Sequence, residues 1–497
     1  MLVLLLCVAV RVINALTTKT FSQPDEYWQS LEPAHWYYYG YGYLTWEWKH
    51  HIRSWIHPSI FILLYKCVDS LNLSETRWLI LAPRLLQSVF AACADWATFV
   101  FAKRLFGVRP AKFALLASLT NPFAWYTMTR TFSNSMEASF AAFTCAIWPW
   151  PSQFDRSYRS IYLTVFLILI ATCIRPTAIL LWIMPGLLFI AQATTTFGIL
   201  QTTKVLVVCL VIAIAVIASD AALNYYITKQ LMLPIYQFYN FNVSDSLSVF
   251  YGASPIHYYI SQGIPLLFMG YLPAFLYALI IHRKSALVWT LVFVTATYSL
   301  ISHKEHRFIL SLLPIGNCLI GSAYAKLNNS SIRFWLIAVA LTVNLPAAYF
   351  FNMVHQRGVI DVSDLVREIK PESVGFLMPC HSTPWQSYFH SPHTDAWFLT
   401  CEPPIGYSLE DRSTYRDEAD KFYDNTELFV KTQITKSGTN GTHAWPEYLV
   451  FFEQMLPLMQ QYCNTTLHYE EHRRFFNTYF HDDHRRSGDI IVWRHTI

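Results

Sequence analysis

The chain has 497 residues, of which 54% are apolar and only 14% charged, with a mean hydropathy of +0.29. Soluble domains carry about 25% charged residues, so this composition argues against a water-soluble enzyme. Lys and Arg number 36 against 32 Asp and Glu, a net charge of +4 with no long basic run, which leaves no electrostatic footprint for nucleic acid.

Apolar stretches dominate to about residue 350, and acids and bases crowd the remainder, the pattern of an α-helical polytopic membrane protein with a soluble tail. A hydrocarbon core about 30 Å thick needs roughly 20 mostly apolar helical residues, and about eleven spans are expected on that basis. They fall near 2–16, 79–101, 113–125, 136–150, 161–174, 178–193, 205–222, 265–281, 286–301, 308–324 and 334–349. The first lacks a basic flank and a small-residue cleavage site, so it reads as an uncleaved helix and not as a signal peptide.

The loop after it, 17–78, is the most unusual part of the chain. It begins Phe21-Ser22-Gln23-Pro24-Asp25-Glu26-Tyr27-Trp28-Gln29-Ser30, passes Glu32 and His35, and reaches Thr45-Trp46-Glu47-Trp48. Pro24 opens a helix with Asp25 and Glu26 in its first turn, where the helix dipole favours carboxylates. Trp28, Trp36, Tyr37, Tyr38 and Tyr39 supply an aromatic belt, so the helix is expected to lie at the membrane interface.

Further along, polar groups recur at turns: Arg130-Thr131-Phe132-Ser133-Asn134-Ser135-Met136-Glu137, then Arg175-Pro176-Thr177, then Asp220 with Asn224. Arg84 and Asp95 lie inside spans, and for them as for these turns structural pairing with neighbouring helices and direct ligand contact stand side by side as readings. Between the ninth and tenth spans stands His303-Lys304-Glu305-His306-Arg307-Phe308. So many ionisable groups beside hydrocarbon call for a charged ligand or for one another. His303 and His306 have metal-ligand spacing, but Lys304 and Arg307 repel a cation, so anion binding is the better reading.

The tail holds short apolar runs at 373–378, 448–452 and 489–493, which predict strands of a small C-terminal α/β domain. The domain division is expected at 1–351, the membrane module containing the 17–78 loop, and 352–497, the tail. Of Cys380, Cys401 and Cys463, two are free to form a disulfide in an oxidising compartment. The run His481-Asp482-Asp483-His484 adjoins Arg485 and Arg486 and reads as a solvated turn, and no zinc-like spacing occurs.

An odd span count puts the termini on opposite sides. One set of short connections carries Lys103, Arg104, Arg109, Lys112, Arg156, Arg159, Lys204, Arg283, Lys284, Lys326 and Arg333 against the acid Asp155. By the positive-inside rule that side is cytosolic, so the 17–78 loop, residues 226–264 and the tail are expected to be luminal. Sequons at Asn72, Asn242, Asn440 and Asn464 then fall on the luminal side and are glycosylation candidates, whereas those at Asn328 and Asn329 do not.

Acids, membrane-proximal cations and aromatics gathered on one face suit a lipid phosphate bearing a sugar. Cations neutralise the leaving phosphate, aromatic faces pack on lipid or sugar, and a carboxylate takes the proton of an attacking hydroxyl. A transporter would instead spread its polar groups along a path through the membrane, and it stands as the non-enzyme alternative.

Pro24-Asp25-Glu26-Tyr27-Trp28-Gln29, Thr45-Trp46-Glu47-Trp48, the 130–137 turn, Arg175-Pro176-Thr177 and the 303–308 turn together resemble the mannosyltransferases of glycosyltransferase family 22. That resemblance implies the GT-C architecture, an endoplasmic-reticulum membrane location and dolichyl-phosphate mannose as donor, with no cofactor and no metal. The tail segments Pro379-Cys380-His381-Ser382-Thr383-Pro384-Trp385 and Asp417-Glu418-Ala419-Asp420-Lys421-Phe422-Tyr423 resemble the branch that adds the third mannose, in α1,2 linkage, to the glycosylphosphatidylinositol (GPI) precursor. Transfer of the fourth GPI mannose, or of an N-glycan mannose on dolichol, stays open beside it.

The resemblance also implies roles. Asp25 is the catalytic base, with Glu26 sharing that role or orienting the acceptor. His303, Lys304 and Arg307 hold the donor phosphate, with Arg130 and Arg175 as second choices. Trp28, Gln29, Glu47, Asn134 and Glu137 are the candidates for contacting sugar or acceptor.

Overall fold

The computed structural model describes residues 1–496 apart from 152–158, 246, 409, 436, 437, 439–441 and 464–467. Asp155, Arg156, Asn440 and Asn464 therefore lie outside the described residues. The chain divides into two compact units, one formed by 1–18, 47–64 and 81–349 and the other by 19–46, 65–80 and 350–497. Residues 19–46 and 65–80, which the sequence groups with the membrane module, thus belong with the tail.

In the first unit, each of the expected spans is helical. Among the described residues six helices are long and apolar enough to cross a membrane: Trp78–Phe106, Pro176–Phe197, Ile199–Thr228, Tyr259–Ile281, His306–Lys326 and the one beginning at Ser330. Shorter apolar helices are Leu2–Thr17, Ser160–Ile174 and Ala286–Leu300. The protein is a multi-pass membrane protein.

Two spans are broken, each for a local reason. Asn121 ends the helix Val108–Thr120, and its side chain accepts from the Ala124 amide at 2.8 Å to start Pro122–Thr127. The eighth span changes from Ile264–Phe268 to Leu272–Ile281 through a tight turn at Met269–Tyr271. Pro265 and Pro273 carry no amide proton, and the Gly270 N–H donates to Asn344 Oδ1 at 3.0 Å instead.

Close helix contact comes from small residues. Leu313–Lys326 packs against Val108–Thr120, where a Cβ at Gly321 would lie 2.4 Å from the Pro110 carbonyl. Ala111, Ala114 and Ala117 on the facing helix are fully buried. Asp95 is paired, as its position requires: Arg11 Nε lies 2.7 Å from Asp95 Oδ2, and Ser118 Oγ donates to Asp95 Oδ1 at 2.5 Å. Arg84 donates to the Thr18 carbonyl at 2.9 Å.

In the second unit the strands are β1 (Ser373–Phe376), β2 (Asp395–Phe398), β3 (Ile434–Thr435), β4 (His443–Ala444), β5 (Tyr448–Phe452), β6 (Tyr469–Phe475) and β7 (Ile490–His495). Five form one sheet in the order β2-β1-β5-β7-β6, with β1 parallel to β2 and β5, and β7 antiparallel to β5 and β6. β1, β5 and β7 are the strands the sequence predicts, and they are central and apolar. The edges β2 and β6 escape that reading, because β6 is Tyr-Glu-Glu-His-Arg-Arg-Phe and mostly exposed, the charged edge that discourages further pairing. Leu449, Phe451, Ile491, Trp493, Phe422 and Phe429 make the core beneath the sheet. The tail disulfide joins Cys380 to Cys401.

Candidate active site

The carboxylates that follow Pro24 sit where that proline puts them. The Tyr27 and Trp28 amides donate to the Pro24 carbonyl at 3.0 Å each, so Asp25 and Glu26 occupy the first turn of a helical run that reaches Tyr39. Asp25 is half-buried and Glu26 is 1% exposed. Tyr27–Leu31 is a π-helical turn, a local widening that concentrates at functional sites, and Glu32–Tyr39 continues as α-helix to Gly40, whose φ of +83° ends it. Trp28 and Gln29 are both buried in this unit. Trp28 is enclosed by His381, Phe398 and Trp385, with ring centroids 4.3, 5.1 and 5.9 Å away, and its Nε1–H donates to the Thr383 carbonyl at 3.1 Å.

Two residues of this run carry more structure than their sequence context announces. Glu32 is fully buried and accepts from the Tyr43 N–H at 3.1 Å and the Ser387 N–H at 2.8 Å. Burial raises its carboxyl to about 7 against the opposing pull of those amides. His35 faces the Tyr41 carbonyl through Nδ1 at 3.1 Å, so Nδ1 carries the proton and Nε2 accepts from His390 Nδ1–H at 2.9 Å. Burial, then the neighbouring His390, pushes His35 down to about 3, so it is neutral. The only sequence signal for either was a polar residue recurring at helical spacing behind Trp28.

The cationic turn belongs to the first unit, where it joins Ala286–Leu300 to the helix that begins at His306. Glu305 is its hub. Arg307 meets it with Nε–Oε2 at 2.6 Å and Nη2–Oε1 at 2.9 Å, and His303 Nε2 lies 3.3 Å from Oε1. Burial raises the Glu305 carboxyl, but the Arg307 charge and the hydrogen bonds outweigh it and hold it well below the carboxylate range. His303 is lowered by burial and raised by more through Glu305, with a net rise. Lys304 donates to the Ser254 carbonyl at 2.8 Å, and among the described residues no carboxylate forms an ion pair with it.

Asn134 links this turn to Arg175. Its Nδ2–H donates to the Arg307 carbonyl at 3.2 Å, and its Oδ1 accepts from Arg175 Nη1 at 3.4 Å. Arg175 Nε lies 2.9 Å from Glu137 Oε2, and its guanidinium stands 5.2 Å from the Phe308 ring centre. The structure therefore gathers Asn134, Glu137, Arg175, His303 and Arg307, which lie far apart in sequence. Arg130 is fully buried and is held by Tyr126, with Nε donating to the Tyr126 carbonyl at 2.6 Å. Glu47 pairs with Arg53 at 2.7 Å. Asn72 has φ +56° and Ser74 of its sequon hydrogen-bonds Asp69, while the Asn242 amide donates to the Phe238 carbonyl at 3.0 Å.

The run His481–His484 is a turn held by its own charges, with Arg485 Nη2 3.0 Å from Asp483 Oδ2. That pairing agrees with a solvated turn.

A multispan helical unit with a cation-rich polar turn, and a smaller α/β unit, define the GT-C class of membrane glycosyltransferase. The ArnT protein of Cupriavidus metallidurans, whose structure is described as bound to undecaprenyl phosphate, shares this fold with a TM-score of 0.58 at 13% identity, over 99% of this chain and 97% of that one. Residues 2–390 match the Alg9-like mannosyltransferase family, and the chain belongs to that family. It is a mannosyltransferase of the GT-C type. The protein described as GPI mannosyltransferase 3 in Yarrowia lipolytica is 40% identical over 504 residues, covering 99% of this chain and 96% of its own length. The Candida albicans protein described in the same words is 40% identical over 490 residues, covering 97% and 95%.

Proposed function

We propose that this protein transfers the third mannose, in α1,2 linkage, from dolichyl-phosphate mannose to the two-mannose GPI precursor at the luminal face of the endoplasmic reticulum. The observation that carries this reading is the match, over nearly the full length of both chains, to fungal proteins described as GPI mannosyltransferase 3. A lipid-phosphate donor is supported by the cations Lys304 and Arg307 of this turn with Arg175 linked to it through Asn134, and by the undecaprenyl phosphate bound to a protein of the same fold.

The acceptor hydroxyl attacks C1 of mannose, the C1–phosphate oxygen bond breaks, and dolichyl phosphate leaves with the bonding pair. A β-linked donor gives an α product in this single displacement. Asp25 is the proposed base that takes the hydroxyl proton, with Glu26 sharing the role or orienting the acceptor. A carboxylate with an ordinary value near 4 is ionised at luminal pH, so positioning matters more than tuning. His303, Lys304 and Arg307 hold the donor phosphate in this reading, and the positive charge of the leaving-group site is supplied by side chains, with no resident metal.

The test is rescue of cells lacking the third GPI mannosyltransferase. Wild type should restore surface GPI-anchored proteins, and Asp25→Asn should fall short by at least about a hundredfold in transfer and leave the two-mannose lipid accumulating. Rescue by both removes Asp25 as the base. Rescue by neither points to the fourth GPI mannose or a dolichol-linked N-glycan as acceptor.

A further inference from the structure

Trp28, Glu32 and His35 are spaced four and three residues apart, so they lie along one face of the helical run whose first turn carries Asp25 and Glu26. All of them meet one short stretch of the tail. Trp28 Nε1–H donates to the Thr383 carbonyl at 3.1 Å, Glu32 Oε2 accepts from the Ser387 N–H at 2.8 Å, and His35 Nε2 accepts from His390 at 2.9 Å. That stretch is itself closed. Cys380 is bonded to Cys401, and Gln386 and Ser391 exchange hydrogen bonds at 3.2 and 3.0 Å.

The fit around Glu32 is tight from the other side as well. A Cβ at Gly42, whose φ is +131°, would lie 2.7 Å from Glu32 Oε1, and the next residue, Tyr43, donates its amide to that oxygen. At Trp28 the aromatic enclosure by His381, Trp385 and Phe398 uses residues from both ends of the disulfide-closed segment.

We propose that the disulfide-closed segment 380–401 is a splint for the Asp25–Glu26 helical turn, and that Trp28, Glu32 and His35 are the positioning residues through which it acts. Contacts at successive turns of one face fix both the rotation and the axial placement of a helix, which contact at a single turn does not. A base on that helix then meets the acceptor hydroxyl at a set distance, and displacements of about 1 Å cost about a hundredfold in rate. The inference rests on the proposed role of Asp25 in mannosyl transfer.

The experiment measures transfer by the full-length protein in detergent, with synthetic dolichyl-phosphate mannose and a two-mannose GPI acceptor, per molecule of monodisperse protein. Glu32→Ala should lower kcat about 10- to 100-fold with both KM values within about threefold, and Glu32→Gln, which keeps an acceptor for one amide, should recover most of the rate. Reducing the folded wild-type enzyme with dithiothreitol opens Cys380–Cys401 to two thiols, as followed by thiol labelling. It should lower kcat in the same way, with recovery on reoxidation. This arm does not depend on a variant folding.

An unchanged kcat in Glu32→Ala, or in fully reduced enzyme, overturns the splint. So does a lower yield of folded protein with kcat per molecule unchanged, which is what a merely structural role gives. Asp25→Asn is assayed alongside. Normal turnover there faults the base assignment alone, since its splint is intact, and Glu32→Ala still decides whether the segment positions the turn through Glu26.

Discussion

The two units accommodate buried ionisable groups by different physics. In the first unit several buried charges meet opposite charges, Arg11 with Asp95, Arg175 with Glu137 and Arg307 with Glu305, while Arg84 and Lys304 donate to backbone carbonyls. In the second, Glu32 is held by backbone amides, while His35 and His381 are pushed by burial to about 3 and stay neutral. Where helices consume most of their own backbone groups, an opposite charge on a neighbouring side chain compensates these three pairs. In an α/β unit, loops offer free amides and proton exchange offers neutrality, so the burial cost is met without a counter-ion.

The contrast is broken most severely at Asp95. Asp95→Ala should destabilise the protein by about 3–5 kcal/mol, because it strands the Arg11 guanidinium at 0% exposure, whereas the double variant Arg11→Leu/Asp95→Leu should recover most of that loss. Thermal unfolding in detergent reads both, and equal damage in single and double variants would contradict pairing as what compensates the charges of Arg11 and Asp95.

The next largest effect is that of the disulfide. Replacing Cys380 and Cys401 by Ser opens a loop with a sequence separation of 21, which should lower stability by about 3 kcal/mol, observable as a lower denaturant midpoint of the second unit.

A smaller effect sharpens the neutral-burial side of the comparison. Glu32 has a folded value of about 7 against the ordinary 4.5, so the folded state binds the extra proton between those values. Its contribution is fully present below pH 4.5 and is lost as pH rises through 7. Between pH 5 and pH 8 this amounts to about 2 kcal/mol. The lowered histidines act oppositely, losing stability as pH falls below about 6.5, so the comparison must be made against Glu32→Gln, in which the alkaline loss disappears. Melting temperatures of the two proteins across that range give the answer.

The smallest effect is expected at an exposed pair. Lys370 lies 2.8 Å from Glu75 with both side chains about half exposed or more, and Lys370→Ala should change stability by less than about 1 kcal/mol. A larger change would show that ion pairing matters outside the first unit too.

Much of this molecule is legible in its sequence because much of it is local. Each apolar stretch of span length is a helix, since in hydrocarbon a helix satisfies its backbone within one segment. Pro24 places Asp25 and Glu26 in a first helical turn through the geometry of its own ring, and the central strands β1, β5 and β7 announce themselves by apolar runs.

Tertiary structure alone decided what depends on distant partners. Nothing in the run Glu32-Pro33-Ala34-His35 reveals that Ser387 and His390 meet it, or that residues 19–46 and 65–80 belong with the tail. Glu305 stands in sequence as one acid among bases, and its chelation of Arg307 and His303 is a matter of side-chain direction. Cys380 and Cys401 pair because β1 and β2 run parallel and adjacent and bring their C-terminal ends together, a register that composition does not encode. Local preference sets the elements, whereas burial across long sequence separations selects which elements meet.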